Sequence, residues 1–390
     1  GSAQINDRGA WRPPAADFMA WAQSGCPSWS WDAVRPAFIS IENDMQFGHH
    51  PDHGTAGPIP ITRWDDQDLL PAMKAFTGAA LAAGYPACDD LNAATAHGVG
   101  KYPQNRIGQR RMSTARTHLD PARASGLITV LPDTTVARIL FEDDHVIGLE
   151  ADGETFPAHR ITLSCGAPLT ATLLLRSGIG PADDLLRLGI PVQSDLPGVG
   201  RNIRDQPGAA IPVIPTREAG SPTWPRTQIA GRVRGLPGDP PDAASLYLCL
   251  FSGMSIPDID AIAGAHVPTL FMLGDLAPEA IGTLRLRSPK PEDPPDIDLC
   301  LFSTPHDIQR MLEAFRRAWD IVNHKPFLDT VDSFPLITDA IVSDNDALTG
   351  LLRQTITSRW NLLGGACMGS PDDVGTVVDE HCNVAGVEGL

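Results

Sequence analysis

At 390 residues, with 42% apolar and 20% charged side chains, the chain has an ordinary globular composition and enough length for two or three domains' worth of core. A net charge of −17 excludes a phosphate-backbone partner, which needs a basic footprint, so no nucleic acid is expected. Cys26, Cys88, Cys165, Cys249, Cys300, Cys367 and Cys382 are odd in number and form no C-x-x-C pair, which argues against zinc ribbons and disulfide frameworks and for reduced thiols in a cytoplasmic setting; no apolar run approaches the roughly 20 residues of a membrane span.

Ser30 is placed to cap a helix starting near Trp31, with Val34, Phe38 and Ile41 on one face, and the surrounding tryptophans read as core. His49, His50 and His53 sit in a Gly/Pro-rich loop without an acidic or cysteine partner at ligand spacing, so no metal is expected. Leu69–Gly84 has helical periodicity and a glycine stop, and HGVG (97–100) opens an extended segment. Arg110–Ala122 is a loop or a helix. Between Leu127 and Cys165 the runs ITVL, TTVARILF, HVIGLEA and RITLSC read as strands separated by PD, EDD and DGET. The last, Ile161–Cys165, reads as a buried strand ending at Gly166. Pro168 then suits the first turn of a helix bearing Leu169, Leu173, Leu174 and Leu175, which Gly178 stops. From Pro207 to Ser358 Pro/Gly-rich turns alternate with strands such as SLYLCLF and PTLFMLG, TLRLRS alternates as a half-buried strand, and HDIQRMLEAFRRAWDIV is a helix. No internal repeat is visible.

Strand, small-residue turn and helix around Gly166 is a common α/β outline for bringing backbone to a nucleotide. Its spelling is more specific. GAPLTATLLLRSGIGP (166–181) and LGIPVQSDLPGVGRNIRDQP (188–207) resemble signatures of the glucose–methanol–choline family of FAD-dependent oxidoreductases, with Thr170-Ala171 in place of Ser-Pro and Gln206 in place of His. GSAQIN at the start resembles the family's Gly-Ser-Ser-x-x-Asn loop, and GWSWD-like and HGTAGP segments follow in the family's order. The ending WNLLGGACMGSPDDVGTVVD resembles the family's His-Pro-x-Gly-Thr run, but Asn361 stands where the His is usual. Short connections and this ending also resemble the branch associated with the mycofactocin redox system.

The resemblance implies a mixed α/β (α+β) fold, an incomplete Rossmann-like FAD-binding domain interleaved with a substrate domain built on an antiparallel sheet with flanking helices. Residues 1–45, 105–205 and 358–390 fall to the flavin part, and 46–104 and 206–357 to the substrate part. It implies FAD contacts from Ser2, Asn6, Val136, Cys165, Gly166 and Ala167, and an active-site place for Asn361; His118 is structural. It also implies a small-molecule alcohol as substrate, while the electron acceptor is left open.

Flavin oxidation of an alcohol needs a group that takes the hydroxyl proton, and Asn361 cannot take one at neutral pH. A redox-neutral lyase of the same fold, or an inactive homologue, therefore stands as an alternative. G-x-G-x-x-G is absent too: Gly198-Val199-Gly200 and Gly98-Val99-Gly100 each lack the third glycine. In the family that loop precedes the Gly-Ser-Ser segment, so the chain is expected to be a piece of a longer one.

Overall fold

Strands Pro207–Pro215, Leu246–Ser252 and Thr269–Asp275 are apolar at nearly every position, as strands covered on both faces must be. In the computed structural model, which describes residues 2–219, 226–241, 243–253, 257–264 and 269–390, they form the centre of an antiparallel sheet. The strand order is Val331–Ser333, Pro207–Pro215, Thr269–Asp275, Leu246–Ser252, Ile229–Val233 and Gly98–Lys101, and Thr357–Ser358 also pairs with Pro207–Pro215. Gly1, Asp242 of the PGDPPD turn and Pro268 of PTLFMLG lie outside the described residues.

The two faces differ because side chains alternate. Ala209, Ile211, Val213, Leu246, Leu248, Leu250, Phe271 and Leu273 point into the main core. There they meet helix Pro305–Asn323, whose Met311, Phe315, Ala318 and Val322 follow helical spacing. Thr304 caps that helix by accepting the Asp307 N–H at 3.0 Å, with Pro305 at its first position. Helix Pro71–Ala82 covers the same core, and Gly84 after it adopts φ +89°, as the predicted glycine stop requires. Tyr247, Cys249 and Ala230 occupy the opposite face, with Trp11 and Tyr102 packed on them.

A second core forms around helix Ala167–Arg176, from Ala171, Leu174, Leu175, Ile179, Ile203, Val377 and Val384. Pro168 lies in its first turn and Gly178 follows it at φ +83°. Strand Val136–Glu142 lies beside it, and the Ile139 N–H donates to Ser177 Oγ at 2.9 Å.

Four expectations need correction. Val136–Glu142, His145–Ala151 and Glu154–Pro157 do form strands, in one antiparallel meander, but ITVL joins no sheet. Leu127, Ile128, Val130 and Leu131 are instead exposed, because no described strand lies beside them to take their backbone bonds. Ile161–Cys165 is likewise no buried strand: it is half-buried to exposed, and the Ile161 N–H donates to the Gly389 carbonyl at 2.8 Å. The helix Trp31–Ile41 exists, but Ser30 makes no side-chain cap and neither Val34, Phe38 nor Ile41 is fully buried. Trp31 and Phe38 pack with Phe18 of the preceding helix Ala15–Gln23, which also meets Trp21, and only Phe18 of that group is buried. No helix among the described residues is long and apolar enough to cross a membrane.

Candidate active site

The sheet and the second core meet at Asp205, which ends the segment leading into strand Pro207–Pro215. Its carboxylate is buried and gathers three donors. Oδ1 accepts from the Gln206 N–H at 2.7 Å and from the Asn361 N–H at 3.1 Å, and Oδ2 accepts from Ser358 Oγ. Asp205 thereby clamps the 358–361 loop onto the start of the strand, with charge-assisted bonds that are stronger than neutral ones. The Arg204 and Leu363 backbones exchange bonds at 3.0 and 2.9 Å and complete the seam.

Within this clamp Asn361 Nδ2 donates to Gln206 Oε1 at 3.0 Å. That bond leaves Asn361 Oδ1 as an acceptor and Gln206 Nε2 as a donor, with Asn361 exposed and Gln206 half-buried. Downstream, Gly364 passes so close to Asn202 that a Cβ would lie 1.9 Å from its carbonyl oxygen. Gly365 then rests on the start of helix Ala167–Arg176, where a Cβ would lie 3.6 Å from the Ala167 oxygen. The Asn361 loop and the Cys165–Ala167 turn are thus neighbours. Val136 begins the strand packed on the same helix.

Ser2 and Asn6 lie elsewhere, on an exposed loop held by Arg111. Arg111 Nη1 donates to Asn6 Oδ1 at 2.8 Å and to the Ala3 carbonyl at 3.1 Å, and the Arg8 N–H donates to the same Oδ1 at 2.9 Å. No hydrogen bond among the described residues joins this loop to Cys165–Ala167. The two oxygen contacts fix the Asn6 amide so that Nδ2 is its outward donor.

The turn at 165–167 has the open backbone that a flavin nucleotide would need. Gly166 opens the helix at φ +83°, a Cβ there would meet nothing within 4 Å, and no side chain caps the helix start. An uncapped helix start behind a glycine is suited to a ligand's oxygen atoms. Cys165 and Gly166 are exposed, as backbone approached by a cofactor must be.

Several residues of this region carried no separate signal in the sequence. Asp7, next to Asn6, is largely buried; burial pushes its carboxyl up to about 6 against the opposing pull of Thr227, Arg226, Arg111 and Arg8. Arg359 lies on the opposite face of the large sheet with its Cζ 3.9 Å from the Tyr247 ring centre. Trp11 touches both Tyr102 and Tyr247, with ring centres 5.7 and 5.5 Å apart. His53 is not a plain loop residue: its ring is buried between Glu42 and Asp90, each 2.9 Å away, supplied by segments the local spacing does not show. His118 is exposed, with Nδ1 2.8 Å from Thr117 Oγ1.

Comparison with known proteins gives a consistent answer. The GMC oxidoreductase family matches in two parts, an N-terminal part over residues 1–208 and a C-terminal part over 278–390. A 5-(hydroxymethyl)furfural oxidase of Methylovorus sp. (strain MP688) is 31% identical over 96% of this chain and 72% of its own length. An oxygen-dependent choline dehydrogenase of Rhizobium etli is 28% identical over 100% of this chain and 75% of its own length. Among solved structures, pyridoxine 4-oxidase from Mesorbium loti superposes with a TM-score of 0.87 at 24% identity, covering 100% of this chain and 77% of that one, a likeness of fold. The chain belongs to the GMC oxidoreductase family, whose members are FAD-dependent flavoproteins.

Proposed function

We propose that this protein oxidises a small-molecule alcohol, with FAD accepting the hydride from the carbinol carbon. The observation that carries the reading is the Asn361–Gln206 amide pair, clamped by Asp205 beside the Gly166 turn. The alcohols in the relatives' names support the reaction class. The two cores support an interleaved chain, one built from residues 72–99 and 209–352 and the other mainly from 171–203 and 377–384, although Leu284 joins the second.

Ser2, Asn6, Val136 and the Cys165–Ala167 turn would hold the cofactor, the turn through backbone and Asn6 through Nδ2. Bound FAD supplies the two-electron acceptor that no side chain provides. Asn361 Oδ1 accepts the substrate hydroxyl proton in a hydrogen bond and so points the carbinol C–H bond; Gln206 Nε2 donates to the hydroxyl oxygen. Asp205 holds the backbones of both residues in place through their N–H groups. Neither amide can remove the proton at neutral pH, so this pair orients the alcohol, and the proton passes to another base or to water.

The test is anaerobic mixing of the FAD-loaded protein with a panel of primary aliphatic and aryl alcohols. Bleaching of the oxidised flavin absorbance is the expected result. No bleaching by any alcohol, together with cleavage of a cyanohydrin such as mandelonitrile, would replace oxidation by the redox-neutral reaction.

A further inference from the structure

Arg359 leaves the clamp loop and lies flat across the sheet. Its N–H donates to the Gln206 carbonyl at 3.3 Å, two residues before Asn361. Its side chain crosses three strands along one row, since Gly208 pairs with Gly274 and Gly274 with Tyr247. A Cβ at Gly208 would lie 2.8 Å from Arg359 Cγ, and a Cβ at Gly274 would lie 2.8 Å from Cδ. The two glycines form a trough, and the Tyr247 ring forms the plate under the guanidinium, 3.9 Å from its Cζ. Cation–π contact of this kind fixes the plane of the fork.

Among the described residues the trough offers the side chain no acceptor. Nε and Nη1 of Arg359 are buried without a hydrogen-bond partner, and no described residue makes an ion pair with it. Arg310 by contrast meets Asp275 and Asp239, and Arg63 and Arg12, each with one nitrogen lacking a hydrogen bond, still form ion pairs with Asp44, Asp90 and Glu42. Leaving a buried charged donor unmade is expensive, which is why such groups nearly always have partners. A pre-aligned, unpaired fork on a residue whose backbone bonds to Gln206 is suited to receive an anion.

The cations Arg8, Arg111 and Arg226 are grouped about Asp7, with Arg226 at the Ser252 end of the sheet, where its carbonyl accepts from the Ser252 N–H. Arg111 is committed to the Asn6 loop, whereas Arg359 is not committed to any described oxygen. Trp11, half-buried, packs on both Tyr102 and Tyr247, so the aromatic group continues from the ring under the guanidinium.

We infer that the substrate alcohol carries a carboxylate, which Arg359 receives while Asn361 and Gln206 hold the hydroxyl, so that the protein acts on hydroxy acids with an apolar or aromatic body. This deepens the oxidase reading above and rests on it for the reaction, though not for the binding.

The test is calorimetric titration of the FAD-loaded protein with 4-(hydroxymethyl)benzoate and with its neutral counterpart, 1,4-benzenedimethanol. A charge-assisted fork is expected to favour the acid by about 10- to 100-fold in Kd. Arg359→Met should bring that ratio to within about 3-fold of unity, and Arg359→Lys, which keeps the charge and loses the fork, should leave a preference of a few-fold. Equal binding of the two ligands by the natural protein overturns the inference, and so does a ratio that survives in Arg359→Met. If Arg359→Met does not fold, Arg359→Lys decides: an undiminished ratio overturns the fork. Failure of every alcohol to bleach the flavin would remove the oxidase reading, and the binding ratio would still decide the role of Arg359.

Discussion

Asn361 Nδ2 donates to Gln206 Oε1 at 3.0 Å, so the two positions at which the sequence resemblance leads one to expect histidine meet in one hydrogen bond. A lone replacement would leave an imidazole facing an amide; here both partners are amides, complementary as donor and acceptor. The pair is neutral at all ordinary pH values, which removes a titrating base from this corner of the site.

Restoring a base is therefore expected to restore speed. Asn361→His should raise the anaerobic rate of flavin reduction by about 10²- to 10⁴-fold, the usual worth of general-base help. The gain should appear as pH rises through roughly 6.5, where imidazole becomes neutral. Stopped-flow rates across pH measure both. A rate that stays unchanged at every pH would show that the proton already leaves by an efficient path.

Asp7 gives the protein a pH response of its own. Burial holds its folded carboxyl at about 6, above the unfolded value of about 3.9, so the folded state binds the proton more tightly. Stability from this group is therefore greatest at low pH and falls as pH rises from about 4 to about 6, by at most ~3 kcal/mol. Asp7→Asn, which cannot ionise, is expected to flatten that part of the curve and to be the more stable protein at neutral pH. Urea midpoints of the two proteins at acid and neutral pH are the check, and parallel curves would mean that Asp7 titrates normally.

His53 behaves in the opposite sense. Burial pulls its pKa down, but the hydrogen bonds that the ring donates to Asp90 and Glu42 outweigh burial and raise it to about 9. Arg12 and Arg63 complete the cluster, at 2.7 Å from Glu42 and 2.8 Å from Asp90. The stabilisation is fully present below about 6.5, the unfolded value, and is lost as pH rises through about 9. His53→Ala should cost about 3–5 kcal/mol at neutral pH, since it leaves buried carboxylates short of a partner. Denaturant unfolding at neutral and alkaline pH checks this; the gap between natural protein and variant should narrow on the alkaline side.

How much of this was readable beforehand follows from the range of each interaction. The helix Pro71–Ala82 and the stop at Gly84 depend on neighbours three or four residues away, and so does the Pro168 helix. The strands 246–252 and 269–275 announce themselves by continuous apolar runs. ITVL and RITLSC have the same local signature yet stay unpaired, because a strand also needs a neighbour. His53 looks like a plain loop residue in the sequence because its partners lie 11 and 37 positions away. Asn361 was found by its motif, but Arg359, two residues earlier, has meaning only once the register brings Gly208, Gly274 and Tyr247 into line.

That register makes a last prediction independent of Arg359 itself. In Gly274→Ala the new Cβ would meet Arg359 Cδ at 2.8 Å and Nη1 at 3.2 Å, and the Pro207 carbonyl oxygen at 3.2 Å. Backbone on one side cannot give, but the arginine is a flexible chain and can. The side chain is therefore expected to lift off Tyr247, with a stability cost of about 1–3 kcal/mol, the usual range for a methyl forced into filled space. Preference for a carboxylate-bearing alcohol over its neutral counterpart should fall in this variant although every charged residue is retained. A steady preference, with unfolding midpoints shifted as stated, would mean that the trough fits the arginine without aiming it.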